Sequence, residues 1–137
     1  VRITALAGGT GAARLLRGLS ACVPDPAALT IIGNTGDDAD IWGLHVSPDL
    51  DSVMYALAGV LDTRRGWGRA DETFHCLAAM ASFGAPTWFG LGDRDLATHL
   101  ARTQGLADGR SLSAVTESLA RALGVRARLL PMSDDRV

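Results

Sequence analysis

Two groups of residues in this 137-residue chain have the types and spacing to do chemistry. The first is Gly8-Gly9-Thr10-Gly11, set between an apolar run and a segment with helical periodicity. Glycines between a strand and a helix let backbone N–H groups approach a phosphate where the helix dipole favours negative charge. Two specific versions of such a turn are excluded. The dinucleotide fingerprint needs a small residue where Arg14 stands, and an acid where Gly33-Asn34 end the second strand. A P-loop needs a lysine, and all 13 basic residues are arginine. A phosphate-bearing ligand of another kind is the expectation, with a ligand-free tight turn as the structural alternative.

The second group is acidic. Asp37, Asp38 and Asp40 follow the second strand, and Asp49 and Asp51 lie in the first turn of the next helix. In an open parallel sheet ligands bind beyond the carboxyl ends of the strands, which puts both groups beside the glycine turn. Carboxylates repel a phosphate unless a cation stands between them. Mg²⁺ is the natural mediator, since it binds one or two carboxylates together with phosphate oxygens. A metal-assisted phosphoryl or phosphodiester transfer is the chemistry implied. Asp49 has a competing role in complementing the helix dipole, worth about 0.3–1 kcal/mol. On the helical wheel Asp49 and Asp51 fall on opposite flanks of the apolar stripe, so the two do not face one ligand. Asp51, deeper in the helix, is the stronger functional candidate, and Asp40 reads as a solvated loop acid.

Other candidates carry weaker signals. Gly92-Asp93-Arg94-Asp95 reads either as a helix start with an internal ion pair or as part of the same site. Trp42, Trp67 and Trp88 all lie near loops, where one could stack on a flat ring, although packing is the commoner use of any single tryptophan. His45, His75 and His99 have no ligand spacing and no nucleophile partner, and read as surface or packing residues. Cys22 and Cys76 sit in apolar helical patterns and read as small buried thiols.

The elements that must position these residues follow a regular order. Arg2 to Ala7 reads as a strand, Ala12 to Val23 as a helix with Leu15, Leu16 and Leu19 inward, and Leu29 to Ile32 as a second strand. Strand, glycine turn, helix, strand is the start of a βαβ unit and a parallel sheet. Gly33 to Val46 reads as a long acidic loop, of the length that is usually functional or disordered. Ser47-Pro48-Asp49 opens a helix with Leu50, Val53, Met54, Leu57, Val60 and Leu61 as its buried stripe. Further helices are expected from Glu72 to Phe83, with Phe74, Leu77, Ala78 and Ala81 inward, from Asp93 to Arg102, and after Ser111. A short aromatic strand or turn at Pro86–Gly92 and a last strand at Val125–Leu130 complete the reading. The fold class expected is α/β, a Rossmann-like parallel sheet with flanking helices, residues 1–137 being the N-terminal portion of a single domain cut short at its C-terminus. With 47% apolar and 20% charged residues the chain is globular, and its net charge of −2 argues against nucleic-acid binding through bulk charge. No membrane span or signal peptide is evident, so the expected location is cytoplasmic.

With these residues in view, the chain resembles the 2-phospho-L-lactate transferase family (CofD-type; FbiA in actinobacterial usage), which builds the deazaflavin coenzyme F-420. The matching stretches are Gly8-Gly9-Thr10-Gly11, Asn34-Thr35-Gly36-Asp37-Asp38, Ser47-Pro48-Asp49-Leu50-Asp51, Leu91 to His99, and Pro131-Met132-Ser133-Asp134-Asp135-Arg136. They run in family order and spacing through the whole chain. The resemblance implies a Mg²⁺-dependent transfer of a 2-phospho-lactyl or phosphoenolpyruvyl group from a guanosine diphosphate-linked donor to the deazaflavin Fo, releasing GMP. It implies catalysis by Asp51, metal binding by Asp37 and Asp51, and substrate contacts from Gly8, Gly9, Thr10, Gly11, Asn34, Asp38, Asp51 and Asp93. It further implies that these residues alone are inactive, and it leaves a homodimer open. Gly90 stands where some relatives carry a lysine near Fo. The main rival is a non-catalytic relative on the same fold that binds a nucleotide-sugar. It would not need the acids of Ser47–Asp51. An NAD oxidoreductase is disfavoured by Arg14 and by the missing ribose-binding acid.

Overall fold

The computed structural model describes residues 1–137. Strand β1 (Ile3–Ala7), helix α1 (Thr10–Cys22) and strand β2 (Leu29–Gly33) form the expected opening unit. Strand β5 (Arg128–Pro131) joins them in one parallel sheet of order β1-β2-β5. The register pairs Ala7 with Gly33 and Gly33 with Pro131, so all three strands finish at one edge. Backbone bonds from Asn34 N to Ala7 O (2.9 Å) and from Met132 N to Gly33 O (2.8 Å) continue the alignment into the loops. The glycine turn, Asn34 and the Pro131–Arg136 segment thus share the carboxyl edge of the sheet.

Helix α2 (Pro48–Ala58) governs the site. Its apolar residues were expected to form a stripe, but Leu50 through Ala56 are all buried, Asp51 and Ser52 included. Residues Ala13, Leu16, Ile31, Leu50, Val53, Met54 and Leu129 belong to one core cluster. A helix enclosed on every side buries whatever polar residues it carries, and these must then find partners. That demand shapes the neighbouring helix.

Several expectations are corrected. The span Gly33–Val46 holds a β-hairpin, β3 (Ala39–Ile41) against β4 (Leu44–Val46), and is not a plain loop. Its two-residue turn puts Trp42 at φ 54° and Gly43 at φ 78°, the left-handed pair that matches the twist of a tight hairpin. Asn-Gly and Asp-Gly announce such a turn and Trp-Gly does not. Trp42 is held there by Nε1 donating to Pro86 O at 2.9 Å. Helix α3 (His75–Ser82) has no buried residue, so Ala78 and Ala81 are not inward. Pro86–Gly92 forms no strand. Leu15 is 70% exposed, and Cys22 is exposed with Cys76 half-buried, so neither thiol is a core residue. Helix α4 (Asp93–Ala107) runs one turn beyond its expected end. Helix α5 (Leu112–Ala122) starts as expected, Ser111 Oγ accepting from Ala114 N.

Helices α3 and α4 cap each other. Asp93 accepts from Thr73 Oγ1 (2.6 Å), His75 N (2.9 Å) and Cys76 N (2.9 Å), closing the start of α3. Glu72 accepts from Arg94 N (2.8 Å) and Asp95 N (2.9 Å), closing the start of α4. The Glu72 stem crosses Gly92 where any Cβ would collide with it, which is why glycine precedes Asp93. The expected ion pair within Asp93-Arg94-Asp95 does not form; the charges of Asp93 serve a different helix.

These bonds favour the ionised carboxylate. The Thr73 hydroxyl and the Cys76 and His75 amides hold Asp93 below the ordinary carboxylate range. Backbone bonds from Arg65 and Arg64 do the same for Asp62. A depressed folded-state value means stability that is present above the unfolded value of 3.8 and is lost as pH falls through the folded one. Asp93→Asn is therefore expected to lower the denaturation midpoint at pH 7 and to flatten its decline below about pH 4. Denaturant titrations at pH 7 and pH 3 check this; equal losses at both would refute it.

Candidate active site

The glycine turn and the acids meet at the N-terminal end of α2. Gly9 caps α1, whose first turn holds no acid, so the partial positive charge of its N–H groups is not neutralised from within that turn. A Cβ at Gly9 would lie 2.9 Å from Asp49 Oδ1, a spacing only glycine permits. Asn34 gathers the first acids: its Nδ2 donates to Asp49 Oδ2 at 2.8 Å and to Asp37 Oδ2 at 3.3 Å. Asn34 Oδ1 accepts from Gly36 N at 3.0 Å. An exposed Asp37 and a half-buried Asp49 thus stand together beside the turn.

Asp38 braces the hairpin against α2. Its Oδ2 accepts from Ser47 Oγ at 2.8 Å and contacts His45 Nε2 at 2.9 Å, while Oδ1 is buried without a partner. Ser47 therefore uses its hydroxyl on Asp38 and makes no side-chain cap on α2. Asp40 is half-exposed and pairs with Arg136.

Asp51 lies on the other flank, as the wheel predicts, in a buried polar network. Arg102 grips it with both terminal nitrogens, Nη2 on Oδ1 and Nη1 on Oδ2 at 3.2 Å. Arg102 Nη1 also donates to His99 Nδ1 at 3.2 Å and to His45 O at 3.3 Å. Because arginine only donates, His99 Nδ1 must accept, which assigns the proton of a neutral ring to Nε2. That nitrogen lies 3.3 Å from Asp95 Oδ2. Tyr55 Oη stands 2.6 Å from Asp95 Oδ1 and 2.7 Å from Thr98 Oγ1. Asp51, Tyr55, Asp95, His99 and Arg102 are each at most 6% exposed.

Electrostatics follow from this enclosure. Burial pushes the Asp51 carboxyl above the ordinary carboxylate range, against the opposing pull of Arg102 and His99. Burial works against the Arg102 charge too, but the Asp51 carboxylate outweighs it and the guanidinium holds its proton more tightly than usual. Asp95 is subject to the same burial, which its bonds to His99 and Tyr55 overcome, leaving it below the ordinary range. Burial, with Asp51 and Asp95 nearby, keeps the Tyr55 hydroxyl protonated.

Four members of this network line a cavity of about 280 Å³, at the small end for ligand sites. Asp51, Tyr55, Asp95 and His99 share the lining with Trp67, Trp88, Phe89 and Gly90. The Arg65 guanidinium sits 4.8 Å from the ring centroid of Trp67, and the ring lies so close to Gly90 that a Cβ there would meet its edge at 3.3 Å. Trp88 packs edge-on to Phe89 with centroids 5.6 Å apart. Trp42, bound to Pro86, is not in the lining.

Ligand atoms of Asp51, Asp95 and His99 lie within 4.8 Å of one another. Arg102 already donates to two of the three and brings a positive charge to the cluster. The structure therefore groups Asp37 with Asp49, and Asp51 with Arg102 and His99. Asp93 is held in the helix cap. His99, expected to be a packing residue, is a network member, and Tyr55 and Arg102 were not singled out. A signal for them existed: Asp95, Thr98, His99 and Arg102 recur at the helical spacing reserved for buried residues, so α4 buries a polar stripe.

Residues 3–137 match the family model described as 2-phospho-L-lactate transferase CofD. The chain belongs to the CofD family. It is 57% identical over 138 residues to a phosphoenolpyruvate transferase of Streptomyces avermitilis, covering all of this chain and 43% of that protein. A phosphoenolpyruvate transferase of Thermobifida fusca is 52% identical over 145 residues, again over the whole chain and 45% of the relative. The chain thus spans less than half the length of these CofD relatives. The crystal structure of a UPF0052 family protein from Bacillus halodurans shares the fold with a TM-score of 0.58 at 20% identity, over 98% of this chain and 40% of that one. No helix here is long and apolar enough to cross a membrane.

Proposed function

We propose that these residues supply the acceptor cavity and phosphate-binding turn of a transferase acting in F-420 biosynthesis. The donor is a guanosine diphosphate-linked phosphoenolpyruvyl or 2-phospho-lactyl compound, and the acceptor is the ribityl hydroxyl of the deazaflavin Fo. The names of the CofD relatives favour the phosphoenolpyruvyl donor. The observation that carries the reading is that helix α2 places Asp51 in the lining of a cavity that also holds Trp67 and Trp88, and Asp49 beside a glycine turn at a helix N-terminus. A flat ring with a polyol tail suits the first, and a diphosphate suits the second.

The flat ring packs between Trp67 and Trp88, and the polyol extends toward Asp51. Asp51 accepts the hydrogen bond of the terminal hydroxyl and takes its proton as the oxygen attacks the phosphorus nearest the acyl group. A new P–O bond forms there, the bond to the bridging oxygen breaks, and GMP leaves with the electron pair. The turn at Gly8–Gly11 offers N–H groups to the donor phosphates. Catalysis comes mainly from holding the hydroxyl and phosphorus in line and from charge neutralisation.

A divalent cation fits the exposed acids. Asp37 and Asp49 form an all-oxygen, partly solvated pair beside the turn, the donor set a hydrated Mg²⁺ prefers. Arg102 takes two of the four acceptor directions of Asp51, which leaves two for the acceptor hydroxyl. Bound beside the turn, Mg²⁺ supplies charge neutralisation at the diphosphate. Asp37→Asn is expected to raise the Mg²⁺ concentration for half-maximal rate about tenfold or more while leaving Fo affinity unchanged. An unchanged Mg²⁺ requirement would remove Asp37 from the ion.

The overall reading is tested by calorimetry of the complete protein with Fo, NAD and a nucleotide-sugar, and by mass spectrometry of products from mixed donors. Fo binding and a phosphodiester product are expected. Failure to bind Fo would end the transferase reading, and nucleotide-sugar binding alone would favour a regulatory relative.

A further inference from the structure

The transfer reading assigns Asp51 to the acceptor hydroxyl, and Asp51 sits on a helix enclosed on every side. A carboxylate buried in that position needs hydrogen-bond partners, and an aspartate rotamer has no intrinsic reason to face the cavity. Arg102 meets both demands. It approaches from α4, is 1% exposed, and takes both Asp51 oxygens in a planar fork. The fork itself is held by His99 Nδ1 and by the carbonyl oxygen of His45, so it has little freedom to turn. Arg102 is absent from the cavity lining, whereas Asp51 and His99 belong to it.

Resting on the transferase reading, we infer that Arg102 is a positioning residue for the transfer. It holds Asp51 turned to the acceptor hydroxyl, and it touches neither substrate. The planar fork matters as much as the charge, because a lysine ammonium is a point donor that does not fix both oxygens. His99 acts one step further back, holding the fork in its plane. The polar stripe of α4 exists to build this support.

The test is a double-mutant cycle in the complete protein, with kcat and the KM for Fo measured for the wild type, Arg102→Lys, Asp51→Asn and the pair. Arg102→Lys is expected to lower kcat about 10–100-fold with the KM for Fo within about threefold, since a misplaced group near the chemistry costs on that scale. In the Asp51→Asn background the same change is expected to cost less than about threefold, because the group it positions is gone. Equal fractional losses in both backgrounds, or a raised KM with kcat intact, would overturn the inference and leave Arg102 a structural brace. Thermal melting of each variant accompanies the kinetics. If Arg102→Lys melts below the assay temperature, His99→Gln takes its place in the cycle and the same two outcomes decide. Absence of transfer by the wild type would count against the function itself and the inference with it. Transfer by the wild type with an additive cycle would count against Arg102 alone.

Discussion

Asp51→Asn in the complete protein is expected to lower turnover at least ~10²-fold, the usual scale for a positioned acid–base group. The substitution keeps the shape of the side chain and one acceptor oxygen, so α2 and the cavity should persist. What changes is the ability to take a proton from the acceptor hydroxyl, and the attraction that holds the Arg102 fork. Burial matters to the size of the effect, because it raises the basicity of Asp51 and makes it a better proton acceptor than a surface aspartate. Single-turnover kinetics with saturating Fo and donor measure the chemical step directly. Turnover within threefold of wild type would take Asp51 out of the chemistry, whatever its place in the cavity.

The second large effect is on stability and runs the other way in the repaired variant. Arg102→Met removes a guanidinium from a site 1% exposed and leaves Asp51 buried without its counter-charge. Breaking one side of a buried pair costs about 3–5 kcal/mol, mostly through the stranded charge. Adding Asp51→Leu removes that charge, and an apolar replacement of both partners is often neutral or stabilising by about 1–4 kcal/mol. The double variant is thus expected to recover most of the lost stability and none of the activity. Urea titration of the wild type, the single and the double variant checks this. A double variant as unstable as the single one would show that His99 and Asp95, rather than Asp51, are what Arg102 holds in place.

The contrast between these results reflects how the site is built. Asp95 pairs with Tyr55 and His99, and Arg102 with Asp51 and His99, so no single bond carries the network. Buried polar groups that share partners in this way strengthen one another when all are satisfied and are costly when one is lost. The exposed acids Asp37 and Asp49 are different: Asn34 orients both, and water can replace what they lose. Substitutions there should touch metal and donor handling with little change in folding.

Much of this was visible in the chain before any coordinates. Strand, glycine turn, helix and strand follow from local preference and periodicity, and a parallel pair of strands puts the turn, Asn34 and the acids at one edge by geometry alone. The opposite flanks of Asp49 and Asp51 follow from 100° per residue. The sequence motifs also carried the family, since their order and spacing are properties of the chain. The reach of each side chain was not visible. The Gly33–Val46 hairpin is not legible in the sequence because its turn puts a tryptophan in the left-handed region, held by a carbonyl at Pro86 that is distant in sequence. Asp93 resembled a site residue because capping a neighbouring helix leaves the same motif as binding a ligand.

By itself the sequence determined the α/β order, the glycine turn between strand and helix and the acids that fall near it, because each depends on spacing within a few residues. Only the tertiary structure decided that Asp37 joins Asp49 while Asp51 joins Arg102, His99 and the cavity. The reason is burial: α2 is enclosed by elements far away in the chain, and a carboxylate taken from water must be matched by whatever charge the fold brings to it. No local pattern states which charge that will be.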